Sequence, residues 1–114
     1  MSIKRSKELF LNDILESIDA IYDYVQGYNL EDFKNDRKTY QAVIREFEII
    51  GEATKNIYHF LKEKYPNYKW RYIVDFRNKI NYEYFGIDFM LIWNTIFLKL
   101  PELKSIIEKL TKEI

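Results

Sequence analysis

A chain of 114 residues holds enough material for one hydrophobic core and too little for two independent ones. Hydrophobic residues make up 47% and charged residues 32%, which excludes a disordered chain; the absence of Cys excludes disulfide frameworks, thiol nucleophiles and cysteine-ligated zinc or iron–sulfur sites. Lys and Arg balance Asp and Glu to a formal net charge of zero, so no global field draws the chain to nucleic acid or to an anionic membrane.

The first residues, Met1 to Lys7, are charged and lead into amphipathic sequence, so no signal peptide is expected. The longest apolar run, Phe89 to Trp93, is far below the roughly 20 residues that span a bilayer. A cytoplasmic location and no membrane partner are the expectation. Three Gly and two Pro leave few turns to build, which favours long helices over many short strands.

Leu11, Ile14, Leu15, Ile18, Ile21, Tyr22 and Val25 recur at helical spacing, and Gly27 offers a stop. After a polar connection Asp36 can cap a second helix, in which Val43, Phe47, Ile50, Thr54, Ile57 and Leu61 alternate steps of four and three until Pro66. Gly51 lies inside this helix, where it costs roughly 1 kcal/mol relative to Ala, and so predicts close approach of another helix. A third segment starts near Trp70, carries Ile73, Val74, Phe76 and Ile80, and runs toward Gly86.

Gly86-Ile87-Asp88 reads as a break and restart: Asp88 can accept from the free amides of the next helix, and Ile87 can staple onto Ile92. Phe89, Ile92, Trp93, Ile96 and Leu100 give that helix an apolar face. Pro101 suits the first turn of a last helix, with Leu103, Ile106, Ile107 and Leu110 inward. The expected fold is all-α, an up-and-down bundle of four to five helices in one domain over residues 1–114.

Charge is distributed unevenly. From Lys62 to Lys79 there are six Lys or Arg against Glu63 and Asp75. Within this stretch Lys64-Tyr65-Pro66-Asn67-Tyr68-Lys69-Trp70-Arg71-Tyr72 interleaves cations with aromatics, a composition suited to neutralising an RNA backbone and stacking its bases. A packed loop with solvated lysines also explains it and is the favoured reading. His59, the only histidine, has no motif around it, and Glu46, Glu48 and Glu52 have helical spacing but no His or paired Asp beside them, so no metal site is expected.

The segment Arg77-Asn78-Lys79-Ile80-Asn81-Tyr82-Glu83-Tyr84-Phe85-Gly86-Ile87-Asp88 is more specific. It resembles the signature of the HepT type of the HEPN superfamily, in which an Arg is followed after four residues by His, then any residue, then Tyr, with Phe-Gly-hydrophobic-Asp trailing. Ala42-Val43-Ile44-Arg45, Glu48-Ile49-Ile50-Gly51-Glu52-Ala53 and Trp70-Arg71-Tyr72-Ile73 agree with the same family, so the resemblance spans nearly the whole chain.

The resemblance implies a HEPN-like helical homodimer that acts as an endoribonuclease, with no cofactor and no metal. It implies RNA, transfer RNA in particular, as substrate. It also implies a toxin–antitoxin pair, whose MNT-type nucleotidyltransferase antitoxin adenylylates the motif Tyr, here Tyr84. Arg77 and the polar residue after it, Asn78, fall in the catalytic motif; an Arg suits the task because its planar fork gives a phosphate two hydrogen bonds and stays charged. Tyr82 stands where the family places its catalytic His. A phenol titrates near 10 and imidazole near 6.5, so Tyr82 is a poor general acid or base at neutral pH and cleavage is expected to be weak or absent.

Lys69, Arg71 and Lys79 are the candidate RNA contacts. On a continuous helix Arg77 and Tyr84 would lie nearly on one face, with Tyr82 rotated roughly 140° from Arg77; a two-fold dimer could gather both sets of residues into one cleft. Two rival readings stand beside this one: a non-catalytic RNA-binding or regulatory protein, and a purely structural interaction module.

Overall fold

A computed structural model describes residues 6–82 and 86–114, apart from the side chain of Tyr82. Helix α1 (Lys7–Val25) starts at Ser6, whose hydroxyl accepts from the Leu9 amide, and ends before Gly27, which takes φ +79° to turn the chain. The short α2 (Leu30–Lys34) occupies what the sequence suggests is a polar connection. It is closed by a capping box in which Asn29 accepts from the Asp32 amide and Asp32 from the Asn29 amide.

Asp36 caps α3 (Arg37–Asn56) as its position predicts, accepting from the amide and the hydroxyl of Thr39 and from the Tyr28 hydroxyl. The long second helix breaks once, at Ile57, before α4 (Tyr58–Lys64). Helix α5 (Trp70–Lys79) follows, then a minimal antiparallel hairpin of β1 (Asn81–Tyr82) and β2 (Gly86–Ile87).

Asp88 caps α6 (Phe89–Asn94) through the Leu91 amide. Instead of stopping before Pro101, the helix continues through a π-helical turn (Thr95–Lys99) into α7 (Leu100–Glu113), with the Leu100 amide donating to the carbonyl of Thr95. Pro101 has no N–H and its ring crowds the carbonyl four residues back, and a locally widened helix accommodates both defects without a break.

The fold is an all-α bundle, as the periodicity predicts. α1 packs against α3 and α7, and α3 packs on its other flank against α5. Leu11, Ile14, Ile18, Ile21, Val43, Phe47 and Ile50 from the first pair of helices meet Ile73, Phe76, Ile80, Ile96, Leu103, Ile107 and Leu110 in one core. Phe33 of α2 is fully buried and touches the rings of Tyr40, Phe89 and Trp93, so α2 plugs the end of the bundle where α6 begins. Among the described residues no helix is long and apolar enough to cross a membrane.

Gly51 sets the crossing of α3 and α5. A Cβ there would stand 3.1 Å from the carbonyl oxygen of Val74 and 3.4 Å from that of Ile73, and both obstacles are helix backbone. Gly51→Ala gains roughly 1 kcal/mol of helix propensity but must push α5 away, an overpacking cost of about 1–3 kcal/mol. The expected net result is a destabilisation of about 1 kcal/mol in urea unfolding. An unchanged or raised midpoint would show that α5 slides freely over α3.

Candidate functional site

The close approach at Gly51 leaves an open cleft between one edge of α3 and one edge of α5. Glu48, Glu52 and Lys55 line it from α3; Arg71, Asp75, Arg77 and Asn78 line it from α5. The cleft measures about 360 Å³. Trp70 anchors the start of α5, being buried with its indole N–H donating to the Tyr65 carbonyl at 2.9 Å. Phe76 packs on Phe47 at 4.6 Å between ring centroids and fixes the other end. The inward face of α5 is thus spent on the core, which turns Arg71 and Asn78, seven residues apart and so nearly in line, to the cleft.

Arg77 is the most constrained of these groups. Its Nε lies 4.0 Å from Glu48 Oε2, close enough to feel the carboxylate but beyond hydrogen-bond range. That Nε is shielded from solvent and has no hydrogen-bond partner among the described residues. An unpaired buried donor costs free energy; the side chain as a whole is 39% exposed, and that exposed part is what a ligand can reach. Arg71 forms no ion pair among the described residues; its guanidinium lies over the Tyr58 ring at 5.2 Å. With Lys55, Arg71 and Arg77 set against Glu48, Glu52 and Asp75, the cleft has no formal net charge. Ligand binding there must rest on directed hydrogen bonds more than on bulk attraction.

Of the residues singled out from sequence, Arg71, Arg77 and Asn78 meet in this cleft, while Lys69 and Lys79 do not. Lys69 lines a second hollow, and the Lys79 ammonium lies over the Tyr72 ring at 5.4 Å. The expectation of a continuous helix carrying Arg77, Tyr82 and Tyr84 is corrected. α5 ends at Lys79, and Tyr82 lies in β1, paired with Gly86. Gly86 adopts φ +85°, which suits a tight return, and the Asp88 amide donates to the Ile80 carbonyl at 2.6 Å, so the local ladder replaces further helical hydrogen bonds. Rotation angles of a single helix therefore do not relate Arg77 to Tyr82; Tyr84 lies outside the described residues.

The basic and aromatic stretch ahead of α5 is largely a packed segment: Trp70 is buried and Tyr65 and Tyr68 pack against the core. His59 is exposed on α4. Glu48 and Lys55 share the cleft with Arg77, and nothing in the local sequence signals it, because the contact arises only when α3 and α5 cross. Among the described residues no group of three His, Asp or Glu side chains is arranged to hold a metal ion.

Comparison with known proteins agrees with the motif. The family model described as Ribonuclease HepT-like matches residues 14–110. The chain is 43% identical over 110 residues to "Probable ribonuclease HepT" of Thermococcus cleftensis, covering 96% of this chain and all of that protein. It is 38% identical to a "Putative RNase" of Methanocaldococcus jannaschii, covering 97% of this chain and 92% of the other. It is 39% identical to another so named from Caldanaerobacter subterraneus, covering 92% and 90%. No solved structure matches the chain. The motif around Arg77, the helical bundle and full-length similarity to these relatives converge, and the chain belongs to the HepT-like ribonuclease family of the HEPN type.

Proposed function

We propose that this protein is the ribonuclease half of a toxin–antitoxin pair. It is a metal-independent endoribonuclease that works as a homodimer on RNA, transfer RNA by family resemblance, and is neutralised when an MNT-type nucleotidyltransferase antitoxin adenylylates Tyr84. The observation that best supports the reading is the Arg77 side chain. It lines an open cleft, is 39% exposed, and is held only by a long ion pair of 4.0 Å to Glu48, so the exposed part of its guanidinium can take a phosphodiester. Asn78, next in the motif and exposed at the same rim, can add a donor to the same phosphate.

The homodimer reading draws support from apolar surface on the helix after the hairpin, where Met90, Phe97 and Leu98 are all exposed. A second reading is favoured by Tyr82: with a phenol at the position of the family's His, the protein binds RNA without cutting it and serves as a regulator. RNA bound without cleavage separates the two.

Control at Tyr84 is tested directly. In the modification the Tyr84 hydroxyl attacks the α-phosphate of ATP, forming an O–P bond and releasing pyrophosphate, with the phenolic proton passing to base. The added adenylate brings a negative phosphate and a bulky base to the motif, so it blocks RNA by charge and by size. Incubation of the protein with its nucleotidyltransferase, ATP and magnesium, followed by peptide mass spectrometry, is expected to place one adenylate on Tyr84 and none on a Tyr84→Phe variant. An unmodified protein, under conditions where the same enzyme modifies a relative carrying His in the motif, would remove the assignment. Labelling that persists in Tyr84→Phe would do the same, with Tyr82 then the residue to examine.

A further inference from the structure

The flank of α5 next to the Arg77 cleft carries a second feature. Arg71 and Asn78 form one row along α5; Tyr72 and Lys79, one position later, form a parallel row about 100° around the helix. Over the Tyr72 ring lie two ammonium groups, Lys79 Nζ at 5.4 Å and Lys99 Nζ at 5.1 Å from its centroid. Lys99 arrives from the π-helical turn. Neither lysine forms an ion pair among the described residues.

Beside the ring opens a hollow of about 190 Å³, lined among others by Tyr68, Lys69, Lys99 and Glu102. The Tyr68 hydroxyl is buried and has no hydrogen-bond partner among the described residues. Burial, and then the charge of Glu102, push its pKa up, so at any ordinary pH it remains a hydrogen-bond donor.

Attraction to the face of an aromatic ring can hold an ammonium group, but the aromatic quadrupole does not neutralise its charge. Three lysines around this spot face the single carboxylate of Glu102 in a molecule whose formal net charge is zero. An anion carrying several acceptor oxygens answers these features together: it pairs with ammonium groups that have no carboxylate partner among the described residues and gives Tyr68 an acceptor.

We propose that this hollow and the Tyr72 ring that lines it form a second RNA contact, a backbone-phosphate site in which Lys99 of the hollow and Lys79 over the same ring hold a phosphodiester and the Tyr68 hydroxyl donates to one of its oxygens. The inference rests on the RNA-directed reading of the Arg77 cleft and deepens it. Arg77 and Lys79, two residues apart, stand about 160° from each other around α5, so a strand that crosses the Arg71–Asn78 row between them meets Arg77 on one flank and the lysine pair on the opposite one, one phosphate at the reacting position and one outside it.

The test measures binding of a short fluorescein-labelled single-stranded RNA by anisotropy across a salt series. Lys79→Ala/Lys99→Ala is expected to weaken binding about tenfold, as for loss of a charge-assisted hydrogen bond. It should also lower the slope of log affinity against log salt by about 0.7, the value of one single-strand phosphate contact. Tyr68→Phe should weaken binding severalfold with the slope unchanged. Lys38→Ala/Lys109→Ala, which removes the same charge from exposed positions on α3 and α7, should bind as the parent does. Equal weakening by both double variants would overturn the site in favour of general charge. A Lys79→Ala/Lys99→Ala protein within twofold of the parent, while Arg77→Ala is weakened, would overturn the second site and leave the ribonuclease reading intact. A parent protein that binds no RNA would remove both.

Discussion

Tyr82→His is expected to raise RNA cleavage by roughly 100- to 10,000-fold, the usual contribution of a positioned general acid or base. Cleaving a phosphodiester through the ribose 2′-hydroxyl needs a group that takes a proton from that hydroxyl or gives one to the leaving oxygen. A phenol with an ordinary pKa near 10 is ionised in only about one molecule per thousand at neutral pH, whereas imidazole is poised near 6.5. Arg77 needs no such restoration, because a guanidinium stays charged and its Nε is already free of hydrogen bonds among the described residues.

The pair of variants therefore reads the two functions separately. Tyr82→His is expected to restore proton transfer; Arg77→Ala in the Tyr82→His background is expected to remove phosphate binding and to return cleavage to the level of the starting protein or below. The assay is cleavage of transfer RNA in the presence of a chelator, followed by growth arrest on expression in cells. Equal cleavage by the parent and the Tyr82→His protein would show that the missing His is not the limiting feature. Cleavage that survives Arg77→Ala would displace the phosphate-binding role of that residue.

Trp70→Ala is expected to cost about 3–5 kcal/mol of stability, the range for truncating a buried large aromatic. Trp70 is 1% exposed, lies against the Tyr68 ring at 4.6 Å between centroids, and donates its indole N–H to the Tyr65 carbonyl. The substitution leaves a cavity and removes the shorter of the two hydrogen bonds that the Tyr65 carbonyl accepts, the other coming from the Tyr68 amide. Against a total stability of about 5–15 kcal/mol for a domain of this size, such a loss places unfolding near ordinary temperature.

Because Trp70 opens the helix that bears Arg71, Arg77 and Asn78, the cleft should be lost with it. In the Tyr82→His background, cleavage should fall in parallel with the folded fraction. Trp70→Phe keeps most of the volume and loses only the hydrogen bond, so a smaller cost of about 1–3 kcal/mol is expected. Urea unfolding checks both; a loss below about 1 kcal/mol in Trp70→Ala would mean that α5 is held chiefly by Phe76 and Ile73.

Most of the helical architecture is legible in the amino-acid sequence. The apolar steps of three and four in α1 and α3, the caps at Asp36 and Asp88, the stop at Gly27 and the close approach at Gly51 are all marked by short-range devices. Each depends on residues within a turn or two of one another. The capping box of α2 is equally local, since Asn29 and Asp32 stand at the right spacing, but its single turn lacks the repeated apolar positions that announce a longer helix.

The end of α5 is hidden for the opposite reason. Ile80 continues the apolar pattern, and it is indeed buried, but as the first residue past the helix, where the Asp88 amide closes onto its carbonyl. The helix through Pro101 shows the same limit, because whether a proline breaks a helix or widens it depends on how firmly the flanking turns are packed.

What the sequence determined by itself was the family and the chemical inventory: the Arg77 motif, the departure at Tyr82, the absence of thiols and the periodic faces that make an all-α bundle. Only the tertiary structure decided which of these groups share a surface. It brought Glu48 and Lys55 of α3 to Arg77, laid Arg71 on Tyr58, and gathered Lys79 and Lys99 over Tyr72 while holding Lys69 and Lys79 out of the Arg77 cleft. Helical periodicity is written in neighbouring residues through hydrogen bonds four apart. The pairing of distant side chains is set instead by how closely two helices can approach, which here turns on the missing Cβ of Gly51 and the backbone carbonyls of α5.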